Sequence, residues 1–235
     1  MNFESYRPYM TAENMMGPNN ARILKELLEK HPLQLSADQT ILDLGCGKGL
    51  TSLMLANETG AKVCASDLWI AEEENKKRFE TWGVGEQITA AHEDANHLTF
   101  APKMFDALVS VDAYHYFGTG HGFFEEKILP FLKDGATVLI GVPGIKNEYT
   151  GRSEELLADW LGDEAYMFQS PLKWKEIIGQ NERIKTVETW EMECFQLAWD
   201  EWFATGHKYA QGDQGFFETL IKPYTCFAGI CIELK

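Results

Sequence analysis

No stretch of this 235-residue chain approaches the roughly 18 consecutive apolar residues that a membrane-spanning helix needs. The opening MNFESYRPYM lacks the basic-then-apolar pattern of a secretory signal. Cysteine is sparse: residues 46, 64, 194, 226 and 231 form no C-x-x-C pair and no His/Cys grouping at zinc spacing. That scatter argues against a disulfide framework and a metal centre, and it points to a reducing, cytoplasmic setting. Bases are outnumbered, 21 against 36 acids, for a formal charge of −15. Such a field repels phosphate backbones and anionic membranes, which argues against nucleic acid and membrane as partners. Repeats, low-complexity tracts and interdomain linkers are also missing, which predicts one domain over residues 1–235.

What remains is ordinary globular material, 45% apolar and 24% charged. Ile23, Leu24, Leu27 and Leu28 recur at helical spacing within 18–31, and Pro32 stops that helix. Apolar runs at 40–44, 61–67, 87–94, 105–112 and 136–144 read as strands. Helical stretches at 50–60, 71–83 and 122–135 alternate with them, Pro130 marking a break in the third. Strands alternating with helices predict a parallel sheet covered on both faces. Beyond 150, residues 154–161 and 170–180 read as helices, 183–197 as one long strand, and 224–235 as a final strand. An aromatic-rich connection carrying Trp199, Trp202, Tyr209 and Phe217 lies between those two strands.

The first strand ends in ILDLGCGKGL, residues 41–50. A P-loop is excluded, because Gly49 follows Lys48 where a magnesium-binding Ser or Thr is required. Leu50 stands where the dinucleotide fingerprint has its third glycine, which weakens that fingerprint without removing it. Asp43, Gly45, Gly47 and Gly49 instead give an acid followed by glycines at alternate positions. Glycine at 45 and 47 lets the backbone approach a ligand where a Cβ would clash.

DLGCGKG resembles the first motif of the class I S-adenosylmethionine-dependent methyltransferases, and the resemblance extends over residues 40–143. It implies a Rossmann-like, doubly wound fold: a seven-stranded, mostly parallel sheet with an antiparallel last strand and helices on both faces. The segment 1–35 would be an N-terminal lid and helix, 40–143 the cofactor-binding core, and 144–235 a C-terminal half with helical insertions. The implied cofactor is S-adenosyl-L-methionine. Asp43, with Gly45, Cys46 and Gly47, would border its methionine end. Asp67, which ends the second strand in VCASD, would bind both ribose hydroxyls, as a carboxylate suits a cis-diol. Leu68 and Trp69 would flank the adenine, and Asp94 with Ala95 would lie at its amino group. Without the resemblance, Asp67 would read as a helix cap and Asp94 as a turn former. Glu72 to Glu74 read as a solvated first helical turn.

The acceptor is expected after the fourth strand, in DAYHYF. Asp112 is a carboxylate at the crevice that open parallel sheets offer to ligands. His115 has the titration range of a general base, although a partly buried histidine bonded to a backbone carbonyl fits equally. Tyr114 or Tyr116 could orient the acceptor or face a positive methyl donor. Tyr6, Tyr9, Met10, Met15 and Met16 read either as a lid or as a staple for the first helix. Trp190, Trp199 and Trp202 read either as pocket lining or as packing. NMMGPN, residues 14–19, together with VSVDAYHYFG resembles a bacterial group of small-molecule methyltransferases. The resemblance thus implies a small-molecule acceptor, with a possible homodimer. A protein-directed methyltransferase and a non-catalytic binding module stay open beside it.

Overall fold

The computed structural model describes residues 1–235. Seven strands form one sheet: β1 Thr40–Leu44, β2 Lys62–Asp67, β3 Ile88–His92, β4 Phe105–Val111, β5 Leu132–Ile145, β6 Ile184–Glu191 and β7 Thr225–Leu234. They lie in the order β3-β2-β1-β4-β5-β7-β6. β1 pairs in parallel with both β2 and β4, whereas β7 runs antiparallel between β5 and β6. The last strand is therefore the single reversed one, as the resemblance implied. The chain winds outward from β1 to β3 and then restarts on the other side with β4. Such a reversal opens a crevice beyond the carboxyl ends of β1 and β4.

Both faces of the sheet are covered, which explains the nearly unbroken apolar strands. Ile41 enters one buried layer with Leu24, Leu53 and Phe79, while its neighbour Leu42 enters the other with Tyr114, Trp174 and Ile177. The first layer belongs to α1 Asn20–Lys30, α2 Leu50–Thr59 and α3 Glu72–Thr81. Asn19 caps α1 by accepting a hydrogen bond from the Ala21 amide at 3.0 Å. Every residue of α2 from Leu50 to Ala56 is buried, so this helix has no polar face to read.

α4 Ser153–Leu161 and α5 Pro171–Ile178 lie where the sequence placed them, Ser170 capping α5 from one residue before Pro171. Two expectations are corrected. Residues 122–135 are helical only in their first part: a π turn at Phe124–Ile128 and a 3₁₀ turn at Leu129–Phe131 lead directly into β5. Pro130 has no amide to continue a helix, and β5 begins at Leu132, where it pairs with Phe105. Nor does one strand fill 183–197. β6 ends at Glu191, and α6 Phe195–Ala204 follows, then α7 Lys208–Gln214. Ala198, Trp199 and Trp202 repeat at helical spacing and bury against the α1 side of the sheet. No helix is long and apolar enough to cross a membrane.

Candidate functional site

A cavity of about 220 Å³ opens at the crevice, bounded by the ends of β1, β2, β3 and β4 and roofed by residues 14–20. The glycine loop forms its floor. Gly45, Gly47 and Gly49 have φ of +75°, +52° and +78°, a region that side chains disfavour. A Cβ on Gly45 would lie 2.3 Å from the Cβ of Ala113, and one on Gly49 would lie 2.3 Å from the Phe79 ring. These glycines serve close packing of the loop onto β4 and α3. Gly47 differs, because its face is covered only by the Met16 sulfur, 3.2 Å from where a Cβ would be. Amides of Gly45 and Cys46 donate to the Ser66 carbonyl at 2.8 and 3.0 Å, tying the loop to β2.

The predicted acids separate into three settings. Asp43 stands back from the cavity: it is 0% exposed, and its Oδ2 accepts hydroxyl bonds from Thr51 at 2.7 Å and Ser52 at 2.6 Å. Burial pushes its carboxyl up to about 6, against the two hydroxyl bonds that pull the other way. The structure does not bring Asp43 to the ligand space, because the first turn of α2 occupies it. Asp67 and Asp94 do line the cavity, but local donors hold them. Asp67 accepts from the Gly47 amide at 2.7 Å and from the amides of Trp69 and Ile70 at 2.8 and 2.9 Å. Asp94 accepts from the Asn96 amide at 2.8 Å and meets His97 Nδ1 at 3.2 Å, contacts that hold its carboxyl below the usual range. Its neighbour Glu93 also lines the cavity and accepts from Thr99.

Asp112 is the third case. It sits in the left-handed region at φ +56°, its amide donating to the Gly141 carbonyl at 2.7 Å. Its carboxylate lines the cavity and accepts no hydrogen bond. A Cβ on Gly17 would come within 2.5 Å of its Oδ2, so a side chain at 17 would make the carboxylate shift. Burial, and then the field of Asp213, push the Asp112 carboxyl up to about 7. Asp213 itself, on α7, is held by the indole N–H groups of Trp160 at 3.2 Å and Trp202 at 3.4 Å rather than by a base.

Tyr116 and Trp69 stand at the mouth, 45% and 65% exposed, with ring centroids 5.1 Å apart in an edge contact. Leu68 and Ala95 line the cavity beside them. His115 does not line it. It is buried behind Tyr116, ring centroids 4.1 Å apart, with Nδ1 unpartnered and its titration pushed down to about 3 by burial. It stays neutral at physiological pH and is a weak base there, because no carboxylate supports its charged form. Trp199 and Trp202 are core residues, and Trp190 packs on Gly229 while donating to Glu26. The N-terminal aromatics and methionines divide the two readings: Tyr6 and Met15 are buried in the core, while Met16 lines the cavity.

Three participants escaped the sequence. Gly17 and Asn20 line the roof, and Asn20 Oδ1 is buried without a partner. Lys48 lines the loop and donates its ammonium to the Glu13 carbonyl. Gly17 and Asn20 lie in or beside GPNN, where a glycine-proline step before a helix was the available signal. No group of three or more His, Cys, Asp or Glu residues is placed to hold a metal ion.

Residues 41–135 match the family model described as a methyltransferase domain. That segment runs from β1 through the glycine loop and the three following strands to the first residues of β5. Methyltransferase GfsG of Streptomyces halstedii is 28% identical over 109 residues, which are 46% of this chain and 38% of that protein. The match thus spans well under half the length of that curated relative. The chain is similar in structure to geranyl diphosphate C-methyltransferase from Streptomyces coelicolor A3(2), with a TM-score of 0.70 at 17% identity, over 88% of this chain and 77% of that one. It is also similar to phosphoethanolamine N-methyltransferase 2 of Haemonchus contortus, solved with S-adenosyl-L-methionine. There the TM-score is 0.69 at 18% identity, over 100% of this chain and 60% of that one. The fold is that of the class I methyltransferases.

Proposed function

We propose that the chain is an S-adenosyl-L-methionine-dependent methyltransferase acting on a small molecule. One observation carries this: the glycine loop, Asp67 and Asp94 border one cavity at the β1/β4 reversal, within the segment that matches the methyltransferase domain. The donor set fits the cofactor. Asp67 uses three of roughly four acceptor positions on loop amides, so a carboxylate position remains for a ribose hydroxyl. Leu68, Trp69 and Ala95 offer apolar surface for adenine, and Asp94 an acceptor for its amino group. The bare backbone at Gly47 gives the methionine portion close approach. When bound, the cofactor supplies a methyl group already on a good leaving group. The chain then has to orient an acceptor in line and keep water out. Met16, Trp69 and Tyr116 close the rim for that purpose. The charge of −15 and the five unpaired cysteines support a cytosolic enzyme that works without nucleic acid.

Calorimetric titration with S-adenosylhomocysteine tests the reading. Saturable binding to the wild-type chain, lost in Asp67→Ala, is the expected result. A wild-type chain that binds neither this product nor the methyl donor ends it.

A further inference from the structure

We propose, resting on the methyltransferase reading above, that the acceptor is a small protonated amine. Its N–H groups would sit on the Asp112 carboxylate and the Asn20 side-chain oxygen, with its charge against the ring of Tyr116.

Hydrogen-bond supply across the cavity carries the inference. Four carboxylates line it: Asp67, Glu93, Asp94 and Asp112. The first three are taken by loop amides or by side chains of their own turns. Asp112 alone has no donor, and Asn20 Oδ1 is a second acceptor, buried and unpartnered, in the same wall. Two acceptors that the chain leaves free favour a ligand that brings several N–H or O–H donors. The charge balance selects among such ligands. Lys48 is the only basic residue that lines the cavity, one of its three N–H donors is held by the Glu13 carbonyl, and its single charge stands against four carboxylates. A phosphorylated or carboxylated acceptor would therefore meet a lining of net negative charge, with Asp213 adding repulsion behind Asp112. A neutral alcohol would offer one donor and leave the carboxylate charge uncompensated. An ammonium offers two or three donors and the opposite charge. The exposed ring of Tyr116 adds a surface that attracts cations.

The fold also spends strain to present this group. Asp112 is one of two non-glycine residues with positive φ in the chain, a conformation that costs about 1 kcal/mol or more. Gly17 is stripped of a side chain at the point where the carboxylate rests.

The chemistry balances. The bound ammonium gives one proton to the Asp112 carboxylate, which leaves a lone pair on nitrogen. That pair forms the N–C bond as the methyl C–S bond breaks, and the bonding electrons stay on sulfur. The product leaves as the N-methylated ammonium, and Asp112 returns its proton to water. Its raised titration, about 7, keeps that return within reach near neutrality.

The test uses the full chain saturated with S-adenosylhomocysteine, titrated calorimetrically with phenethylamine, tetramethylammonium, 2-phenylethanol and inorganic pyrophosphate. Phenethylamine should bind about tenfold or more tightly than the alcohol, and pyrophosphate should not bind up to about 10 mM. Tetramethylammonium, which has charge but no N–H, should fall between amine and alcohol. In Asp112→Asn the amine preference should vanish while affinity for S-adenosylhomocysteine stays within about threefold. Equal binding of amine and alcohol, no amine binding, or binding of pyrophosphate would overturn the proposal. So would Asp112→Asn losing the homocysteine product instead of the amine, since Asp112 would then serve the donor. Failure of the wild type to bind S-adenosylhomocysteine sinks the methyltransferase reading itself, and the two failures are read in separate titrations.

Discussion

The two banks of the cavity are built from the same kinds of residue and left in opposite states. On the bank formed by β1, β2 and β3, the lining aspartates already have donors. Asp67 has three amides and Asp94 an amide and an imidazole, while Asp43 behind them has two hydroxyls on Oδ2 and an unpartnered Oδ1. On the bank formed by β4 and residues 14–20, Asp112 and Asn20 present acceptors that nothing in the chain answers. A group that its own fold satisfies keeps a shape, whereas a buried group left unsatisfied costs free energy until a ligand arrives. The first bank is thus a preformed mould, and the second holds open the demand for a partner.

The banks touch where Gly45 meets Ala113, so the contrast is broken most severely there. Gly45→Ala forces a side chain into a left-handed φ of +75° and onto the Ala113 methyl. A loss of about 3–4 kcal/mol in unfolding free energy is expected, from backbone strain plus overpacking. Urea denaturation measures it, and a loss under about 1 kcal/mol would mean that the loop can simply slide off β4. Next, Asp67→Ala frees three amides at once. Affinity for S-adenosylhomocysteine should fall by about a hundredfold or more, roughly 3 kcal/mol, in calorimetry. A smaller effect is expected from Asp43→Ala, which strands the hydroxyls of Thr51 and Ser52 in the core. Stability should drop by about 2 kcal/mol. The product's affinity should weaken only in proportion to loop disorder. Asp43→Ala that abolished binding in a fully folded chain would move Asp43 into the ligand space.

The two banks also differed in how far the sequence disclosed them. The mould is made of local units: a buried strand, a glycine turn and the next helix follow one another within 41–60, and DLGCGKG names the turn outright. The roof depends on residues 14–20 reaching across to the end of β4, a contact of about a hundred positions' separation that no local pattern encodes. Asp112 was visible as a strand-end acid, yet its lack of partners was not, and Asn20 carried no signal of its own. Asp43 was legible as a strand-end acid, and only the packed first turn of α2 shows that hydroxyls hold its Oδ2. Two elements were misread for local reasons. The apolar run of 122–135 looked helical because Phe124, Ile128 and Leu132 recur every four residues, but Pro130 and the pairing of Leu132 with Phe105 turn its end into sheet. Apolar residues alternating at Trp190, Met192 and Cys194 hid the switch at Met192. The helical repeat of Phe195, Ala198, Trp199 and Trp202 was there to be seen.

The contrast is sharpened by a variant that should make the protein more stable. Asp112 titrates near 7 in the folded chain against an ordinary 3.8. Between about pH 4 and pH 7 the folded state therefore keeps a proton that the unfolded chain has released, and rising pH across that window removes stability. Below pH 4 both states are protonated, so nothing is lost. Asp213 from α7 and Tyr116 from the strand-end turn face the group, and no base faces it, so no ion pair opposes this sign. Asp112→Asn removes the titration while keeping the shape. It should add about 1 kcal/mol of stability at pH 8, a value set well below the ideal 1.36 kcal/mol per unit because the carboxyl is partly open to water. Near pH 4 it should add nothing. Denaturation curves at the two pH values decide. A variant that loses stability at pH 8 would show that a donor already serves this carboxylate, and the second bank would then be as settled as the first.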